Sequence, residues 1–272
     1  MDFKYFEKKA ADVRVGVIKA VAAAGSGHPG GSLSAADLVT ALYFHEMNID
    51  PENPKMKERD KFILSKGHAG PVQYAALALR GFFPKEDVLN LRKIGGRFQG
   101  HPDMNKVPGI EMSTGSLGQG FAAAAGMAMA NKLDKNPGRI YVLIGDGELQ
   151  EGMIWETAMS APNYQLDNLT AIIDWNGLQI DGRNEDVMSV SPIDEKFAAF
   201  GWNVLTINGH SFPEIFEAFE KAKTCKGRPT VIIAKTYKGH GVSFMEDNAG
   251  WHGKAPNAEE MKNAVAELGG EF

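Results

Sequence analysis

Two short apolar runs in this chain end in side chains that carry oxygen. Gly138-Arg-Ile-Tyr-Val-Leu-Ile-Gly-Asp-Gly147 reaches Asp146, and Leu169-Thr-Ala-Ile-Ile-Asp-Trp-Asn176 reaches Asn176. Runs rich in branched residues that stop abruptly at a polar residue read as buried parallel strands surfacing at their carboxyl ends. The 28 residues from 148 to 175 leave room for a crossover helix, so the strands can be neighbours with Asp146 and Asn176 converging at one sheet edge. A carboxylate plus an amide carbonyl is a sparse, all-oxygen ligand set. It suits Mg²⁺, which dehydrates reluctantly and fills its octahedron from water and phosphate oxygens. Gly-Asp-Gly and Asn-Gly are also ordinary turn chemistry, so the pair alone leaves both readings open.

Histidines supply the second chemical signal, because imidazole can hold or pass a proton near neutral pH. Of seven, five stand beside glycine outside any clear helix: His28, His68, His101, His240 and His252. His68 lies where the strand at Lys61 gives way to a helix from Val72 to Leu79, at the sheet edge where α/β folds bind ligands. His28, in Gly25-Ser-Gly-His-Pro-Gly-Gly31, His101, in Gly100-His-Pro-Asp103, and His252, in Trp251-His-Gly253, repeat that grammar. These four are expected to share a site with Asp146; His240 is left outside it, and His45 reads as helix packing. A third signal is Ser113-Thr-Gly-Ser-Leu-Gly-Gln-Gly120, which opens an alanine-rich helix over 121–133. Such a turn offers free N–H groups and the positive helix end to a diphosphate. Its spacing is not G-x-G-x-x-G, and no G-x-x-x-x-G-K-[ST] occurs, which excludes dinucleotide and ordinary nucleoside triphosphate binding of those kinds.

The elements that must position these residues alternate. Helices are expected over 8–24, from an N-cap at Ser34 through Leu38, Leu42 and Phe44, over 85–92, from Glu148 to about Asn163, and over 212–223 behind an N-cap at Ser211. Strands are expected over 202–207 and 230–235, and a surface helix follows Ala255. With no repeat and no Pro/Gly-rich linker, the pattern predicts a single α/β domain over 1–272, a doubly wound parallel sheet with helices on both faces. A net charge of −5, from 29 basic and 34 acidic residues without a basic run, argues against nucleic-acid or membrane-surface binding. The single Cys225 allows no intrachain disulfide, and neither a signal peptide nor a membrane-length apolar run is seen, so a cytoplasmic protein is expected.

Taken together, Ser26-Gly-His-Pro-Gly30, Ser65-Lys-Gly-His-Ala69, Gly100-His-Pro102, Thr114-Gly-Ser-Leu-Gly-Gln-Gly120, Gly145-Asp-Gly-Glu-Leu-Gln-Glu-Gly152, Lys235-Thr-Tyr-Lys-Gly239 and Trp251-His-Gly253 resemble the diphosphate-binding module of transketolase, in order and along nearly the whole chain. The resemblance implies thiamine diphosphate as cofactor, with Mg²⁺ (or Ca²⁺ or Mn²⁺) held by Asp146, Asn176 and the main-chain carbonyl of Leu178. It implies a cofactor lining of His68, Gly115, Ser116, Leu117, Gly147, Glu151, Asn176, Ile180 and His252, with Ile180 pressing on the cofactor. It makes His28, His68, His101 and His252 the catalytic histidines. Of these, His28 and His252 would serve the ketol oxygens, and His68 and His101 would neighbour the diphosphate and thiazolium. Glu151 and Glu156 resemble carboxylates that meet their symmetry mates across a dimer interface. Ser116 departs from the long-form enzymes, which usually carry proline there.

In that family a glutamate that activates the cofactor comes from a second, pyrimidine-binding module, for which this sequence has no second strand-helix array. The expectation is the amino-terminal subunit of a split transketolase, paired with a carboxyl-terminal transketolase subunit in an α₂β₂ assembly and acting on sugar phosphates. Rival expectations are a subunit resembling 1-deoxyxylulose-5-phosphate synthase or a 2-oxo acid dehydrogenase, and a non-catalytic scaffold.

Overall fold

The computed structural model describes residues 2–272. Five strands, β1 (Lys61–Leu64), β2 (Ile140–Gly145), β3 (Leu169–Trp175), β6 (Asn203–Asn208) and β7 (Thr230–Lys235), form one parallel sheet in the order β1-β2-β3-β7-β6. Two further short strands, β4 (Leu178–Gln179) and β5 (Gly182–Arg183), make a small antiparallel hairpin after β3. The central strands are mostly apolar because both sheet faces are covered, with Thr170 and Asp174 of β3 buried among the apolar residues. Tyr141, Leu143, Ile172, Ile232 and Ala234 face one core, and Val142, Ile144, Ala171, Ile173, Val231 and Ile233 face the other. The first core is closed by α1 (Phe3–Ala24), α3 (Ala36–Ala41), α4 (Gly70–Arg80) and α9 (Phe212–Thr224). The second is closed by α5 (Gln119–Leu133), α6 (Gly152–Asn163) and α8 (Ile193–Ala199). The expected doubly wound α/β sheet is thus the one observed. Among the described residues no helix is long and apolar enough to cross a membrane.

Three local expectations need correction. The second helix starts not at Ser34 but at Pro29, as α2 (Pro29–Ser34), where proline at the first helical position has no N–H to waste. Ser34 closes α2 instead. Its buried hydroxyl donates to Asp174 Oδ2 at 2.6 Å, so a tertiary bond has taken the place of capping. The segment 85–92 is a 3₁₀ turn over Lys85–Asn90, after which the chain leaves the helical region at Leu91 and turns left-handed at Arg92. Ser211 occupies the N-cap position of α9 without a side-chain capping bond.

Loops after the strands are tied back to the helices. His210 brings Nδ1 to Asp37 at 2.6 Å and accepts from the Tyr237 N–H at 3.0 Å through Nε2, which anchors the start of the loop after β7 to α3. Burial works against the Asp37 carboxylate, yet Arg14 and His210 hold it down at about 2. His240 stacks on His210, with ring centroids 3.6 Å apart.

Candidate active site

β1, β2, β3 and β7 deliver their carboxyl ends to one cavity of about 320 Å³, the position at which parallel α/β sheets bind ligands. The ladder aligns Gly145 with Asp174, and Asp174 with Ala234. Asp146 and Asn176 therefore leave adjacent strands at the same level.

Asp146 is 2 % exposed, and its carboxylate accepts from the Gly147 N–H at 2.8 Å and from the Gly177 N–H at 2.5 Å. Burial, with the charge of Asp174 beside it, pushes its pKa up to about 6. No basic side chain pairs with it among the described residues. A buried carboxylate in that state is what a cation relieves. Asn176 accepts from the Leu178 N–H at 3.1 Å through Oδ1 and donates to Asp174 Oδ2 at 3.3 Å through Nδ2. The Asp174 carboxylate also takes the Lys66 ammonium and the hydroxyls of Ser34 and Thr236. Burial opposes its ionisation, but Lys66 and these donors keep its pKa below the ordinary value. An ionised carboxylate only accepts, so Asp174 draws the Asn176 amide nitrogen to itself and turns Oδ1 the other way. Asp146, Asn176 and the Leu178 carbonyl thus form an oxygen set that could hold a hard divalent cation. In this structure the Leu178 carbonyl accepts from the Lys238 ammonium at 2.9 Å.

Around this centre the cavity is built for an anion. Lys66 and Lys238 line it, and burial lowers the Lys238 pKa to about 8. A Cβ on Gly31 would stand 3.5 Å from His68 Nε2 and 3.7 Å from Lys66 Nζ, in ordinary contact with both, so the bare glycine backbone keeps the space beside those two groups clear. Gly115, Leu117 and Gly147 line the same wall. Glu148 lies under it, nearly buried, accepting from Ser65 Oγ at 2.5 Å, the Gly118 N–H at 2.8 Å and the Gly145 N–H at 3.0 Å. These bonds hold the β1, β2 and α5 loops in one register. At the opposite wall the tip of the β4-β5 hairpin presents Ile180, which lines the cavity and is still 68 % exposed.

Three imidazoles cluster inside the cavity. The His28 centroid lies 5.4 Å from His68 and 5.3 Å from His252, and His68 lies 5.1 Å from His252. His101 stands exposed at the rim, 6.4 Å from His28. Burial lowers the pKa of each, to about 4 for His28 and about 3 for His252, with Arg92 adding to the effect at His28 and Lys238 at His252. All four are neutral at neutral pH. The Lys238 ammonium meets His252 Nδ1 at 2.9 Å, which makes that nitrogen the acceptor and leaves the proton on Nε2. His28 Nδ1 is buried with no protein partner, a donor or acceptor held for something else.

A pH dependence follows. Unfolded imidazoles titrate near 6.5, and folded His28 only near about 4, so the unfolded chain binds more protons between those values. The neutral burial of His28 therefore stabilises the fold fully above 6.5, and this contribution is lost as the pH falls towards about 4. Thermal melts from neutral to acid pH should show a fall in Tm that is smaller in His28→Asn than in the parent. Parallel profiles for the two proteins would show that His28 is not held neutral.

The cavity gathers nearly all the residues singled out in the sequence, with three exceptions. His101 reaches only the rim. Ser116 is exposed between two lining residues, Gly115 and Leu117, because the turn before α5 points its side chain outward. Glu151 is exposed at the start of α6, against the outer side of Gly118, and does not line the cavity. Lys66, Lys238, Glu148 and Asp174 went unassigned. A charged residue at the end of an apolar strand was the available signal for Lys66 and Asp174.

The family model described as transketolase, thiamine diphosphate binding domain, matches residues 6–271. The 6-deoxy-6-sulfo-D-fructose transketolase subunit of Clostridium sp. (strain MSTE9) is 50% identical over 90% of this chain and 89% of its own length. An apulose-4-phosphate transketolase subunit from Phocaeicola vulgatus is 43% identical over 98% of this chain and 95% of its own. Transketolase from Campylobacter jejuni superposes with a TM-score of 0.93 at 35% identity, covering all of this chain and 44% of that one. The chain thus spans the length of subunit-type relatives and less than half of a long-form enzyme.

Proposed function

The chain belongs to the transketolase thiamine diphosphate-binding family, and from that premise we propose that it is the diphosphate-binding subunit of a two-subunit transketolase. With a partner carrying the pyrimidine-binding module, in an α₂β₂ assembly, it moves a two-carbon ketol unit from a ketose to an aldose. The observation that carries this reading is the convergence of Asp146, Asn176 and the Leu178 carbonyl with three neutral imidazoles in one cavity. The near-equal length of relatives named as subunits supports the split arrangement. The sole thiol, Cys225, accords with a reducing cytoplasm.

In this reading Asp146, Asn176 and the Leu178 carbonyl would hold Mg²⁺, or Ca²⁺ or Mn²⁺ in its place, to offset the charge of the diphosphate. Lys66, Lys238 and His68 face the same anion, and Gly115, Leu117 and Gly147 let it approach the backbone. Ile180 covers the cofactor body, which accounts for a large apolar side chain exposed at a hairpin tip. When bound, thiamine diphosphate supplies the nucleophilic carbon and the electron sink for breaking a bond next to a carbonyl. The protein's part is to stabilise charge on the substrate oxygens and to move protons there. His252 offers its Nε2–H to such an oxygen because Lys238 occupies Nδ1. His28, with a free buried nitrogen, can take or give a proton on the facing side. His101 guards the rim.

Substrates carrying a terminal phosphate or sulfonate both suit this reading, given what the relatives' names say they act on. The test is product analysis on the co-expressed pair. A ketose phosphate with an aldose acceptor should give a ketose two carbons longer than the acceptor, and pyruvate should give no CO₂. Release of CO₂ from pyruvate without ketol transfer would replace this reading with a 2-oxo acid decarboxylase subunit.

A further inference from the structure

The loop that follows β7 carries Lys238 into the cavity, and the groups that fix this loop lie outside the cavity. Lys238 Nζ meets the Leu178 carbonyl and His252 Nδ1, each at 2.9 Å, so the main chain from which it extends must be held in place for both contacts to persist. One residue earlier, the Tyr237 N–H donates to His210 Nε2 at 3.0 Å. At a residue as exposed as Tyr237, water could satisfy that N–H. It is met instead by a nearly buried imidazole whose orientation is set from the interior.

That orientation starts at Asp37. The Arg14 guanidinium grips its carboxylate as a fork, Nη1 to Oδ1 at 3.1 Å and Nη2 to Oδ2 at 2.5 Å, and Asp37 Oδ2 also meets His210 Nδ1 at 2.6 Å. An ionised carboxylate only accepts, so Nδ1 carries the ring proton and Nε2 keeps a lone pair for Tyr237. His240 covers one face of the ring, and its own Nδ1 is engaged by Glu246 at 2.9 Å. Glycine at 209 lets these parts meet, because a Cβ there would stand 2.5 Å from Thr236 Cγ2 and 3.1 Å from the Lys235 carbonyl oxygen. Asp37, His210 and His240 bring ligand atoms within 4.8 Å of one another, as a metal site would. Arg14 already neutralises Asp37 and both ring nitrogens of His210 are engaged, so the cluster is built to orient a group rather than to coordinate an ion.

Resting on the roles given above to Lys238 and His252, we propose that His210 is a positioning residue of the ketol-transfer site. By holding the Tyr237 N–H it fixes the peptide from which Lys238 reaches inward, and through Lys238 it sets the direction in which His252 offers its Nε2–H. The contacts run from Arg14 through Asp37, His210, the Tyr237 main chain and Lys238 to His252.

The test uses the two-subunit enzyme, with D-fructose 6-phosphate or 6-deoxy-6-sulfo-D-fructose as donor and an aldose phosphate as acceptor, and two replacements that divide the imidazole. His210→Gln keeps an acceptor where Nε2 stood and gives up the donor to Asp37; His210→Asn keeps the donor and gives up the acceptor. His210→Asn should lower kcat about 10-fold, as misplaced catalytic groups do, with KM for the sugars near that of the parent. Thiamine diphosphate binding, read by calorimetry, should weaken about 5-fold, the worth of one hydrogen bond. His210→Gln should stay within about 2-fold of the parent on both readouts. Because the bond to the Asp37 carboxylate is the stronger of the two, His210→Gln should nonetheless melt lower than His210→Asn. A residue that only supports the fold would lose stability and turnover in the same order, and that result, or unchanged turnover in His210→Asn, would overturn the proposal. Tyr237→Ala keeps the N–H and removes only the exposed ring, so it should turn over like the parent. A loss equal to that of His210→Asn would place the effect in the ring stack and also overturn the proposal, and this comparison decides even if His210→Gln does not fold. Parent enzyme inactive with both donors would instead overturn the ketol-transfer reading on which the proposal rests.

Discussion

Replacing Asp146 by alanine should abolish metal-dependent binding of thiamine diphosphate to the two-subunit protein. Asp146 is the only carboxylate in the oxygen set, and it sits buried with no cationic side chain paired to it among the described residues, so no other protein ligand of that set brings a negative charge to a divalent ion. Outer-sphere substitutions around metals already cost about 10–100-fold in affinity, and loss of the charged ligand should exceed roughly 100-fold. Titration calorimetry with Mg²⁺ and cofactor reads this directly. His252→Ala should behave differently: cofactor still binds, while turnover falls because the Nε2–H that Lys238 orients is gone. Equal loss of cofactor binding in both variants would contradict the division between a metal-holding strand end and a proton-handling imidazole cluster.

Lys66→Ala should be the most destabilising of the single substitutions considered. Its ammonium is bonded to the Asp174 carboxylate and to the Gly31 carbonyl, the latter at 2.7 Å, and the two side chains are 2 % and 0 % exposed. Removing one partner leaves an uncompensated buried charge, a loss of about 3–5 kcal/mol. For a domain of this size each kcal/mol lowers Tm by about 2–4 °C, so the melting point should drop by roughly 6–20 °C. The paired variant Lys66→Met with Asp174→Asn should lose less than the single change, because no charge is then stranded. A single variant that melts within about 2 °C of the parent would show that the pair carries little of the fold.

How much of this was legible in the sequence depended on range. β7 was bounded correctly at Thr230 and Lys235, because a strand buried on both faces is apolar without interruption and its ends are polar. Asp146, Asn176 and the histidine loops were legible because glycine and proline punctuate strand ends, and a parallel sheet sends all those ends to one edge. Lys66 and Asp174 were not. They are 108 positions apart, and nothing local marks a lysine as buried until its carboxylate partner is known. Ser34 misled for a related reason: its local pattern is that of an N-cap, but a hydroxyl next to Asp174 is stabilised more by the buried carboxylate than by a helix end. Ser116 and Glu151 lie in the right motifs with side chains turned outward, a matter of one residue's orientation that motif spacing does not encode. Arg92 sat at the end of an expected helix, and its left-handed backbone became visible only once that segment proved to be a 3₁₀ turn.

The most direct test of a divided active site is two-carbon transfer measured at saturating Mg²⁺ and thiamine diphosphate while this chain is titrated with its partner. Turnover should be absent with either chain alone, rise linearly, and level off at equal amounts of the two. Full turnover by this chain without a partner, or none at any ratio although cofactor is bound, would contradict it.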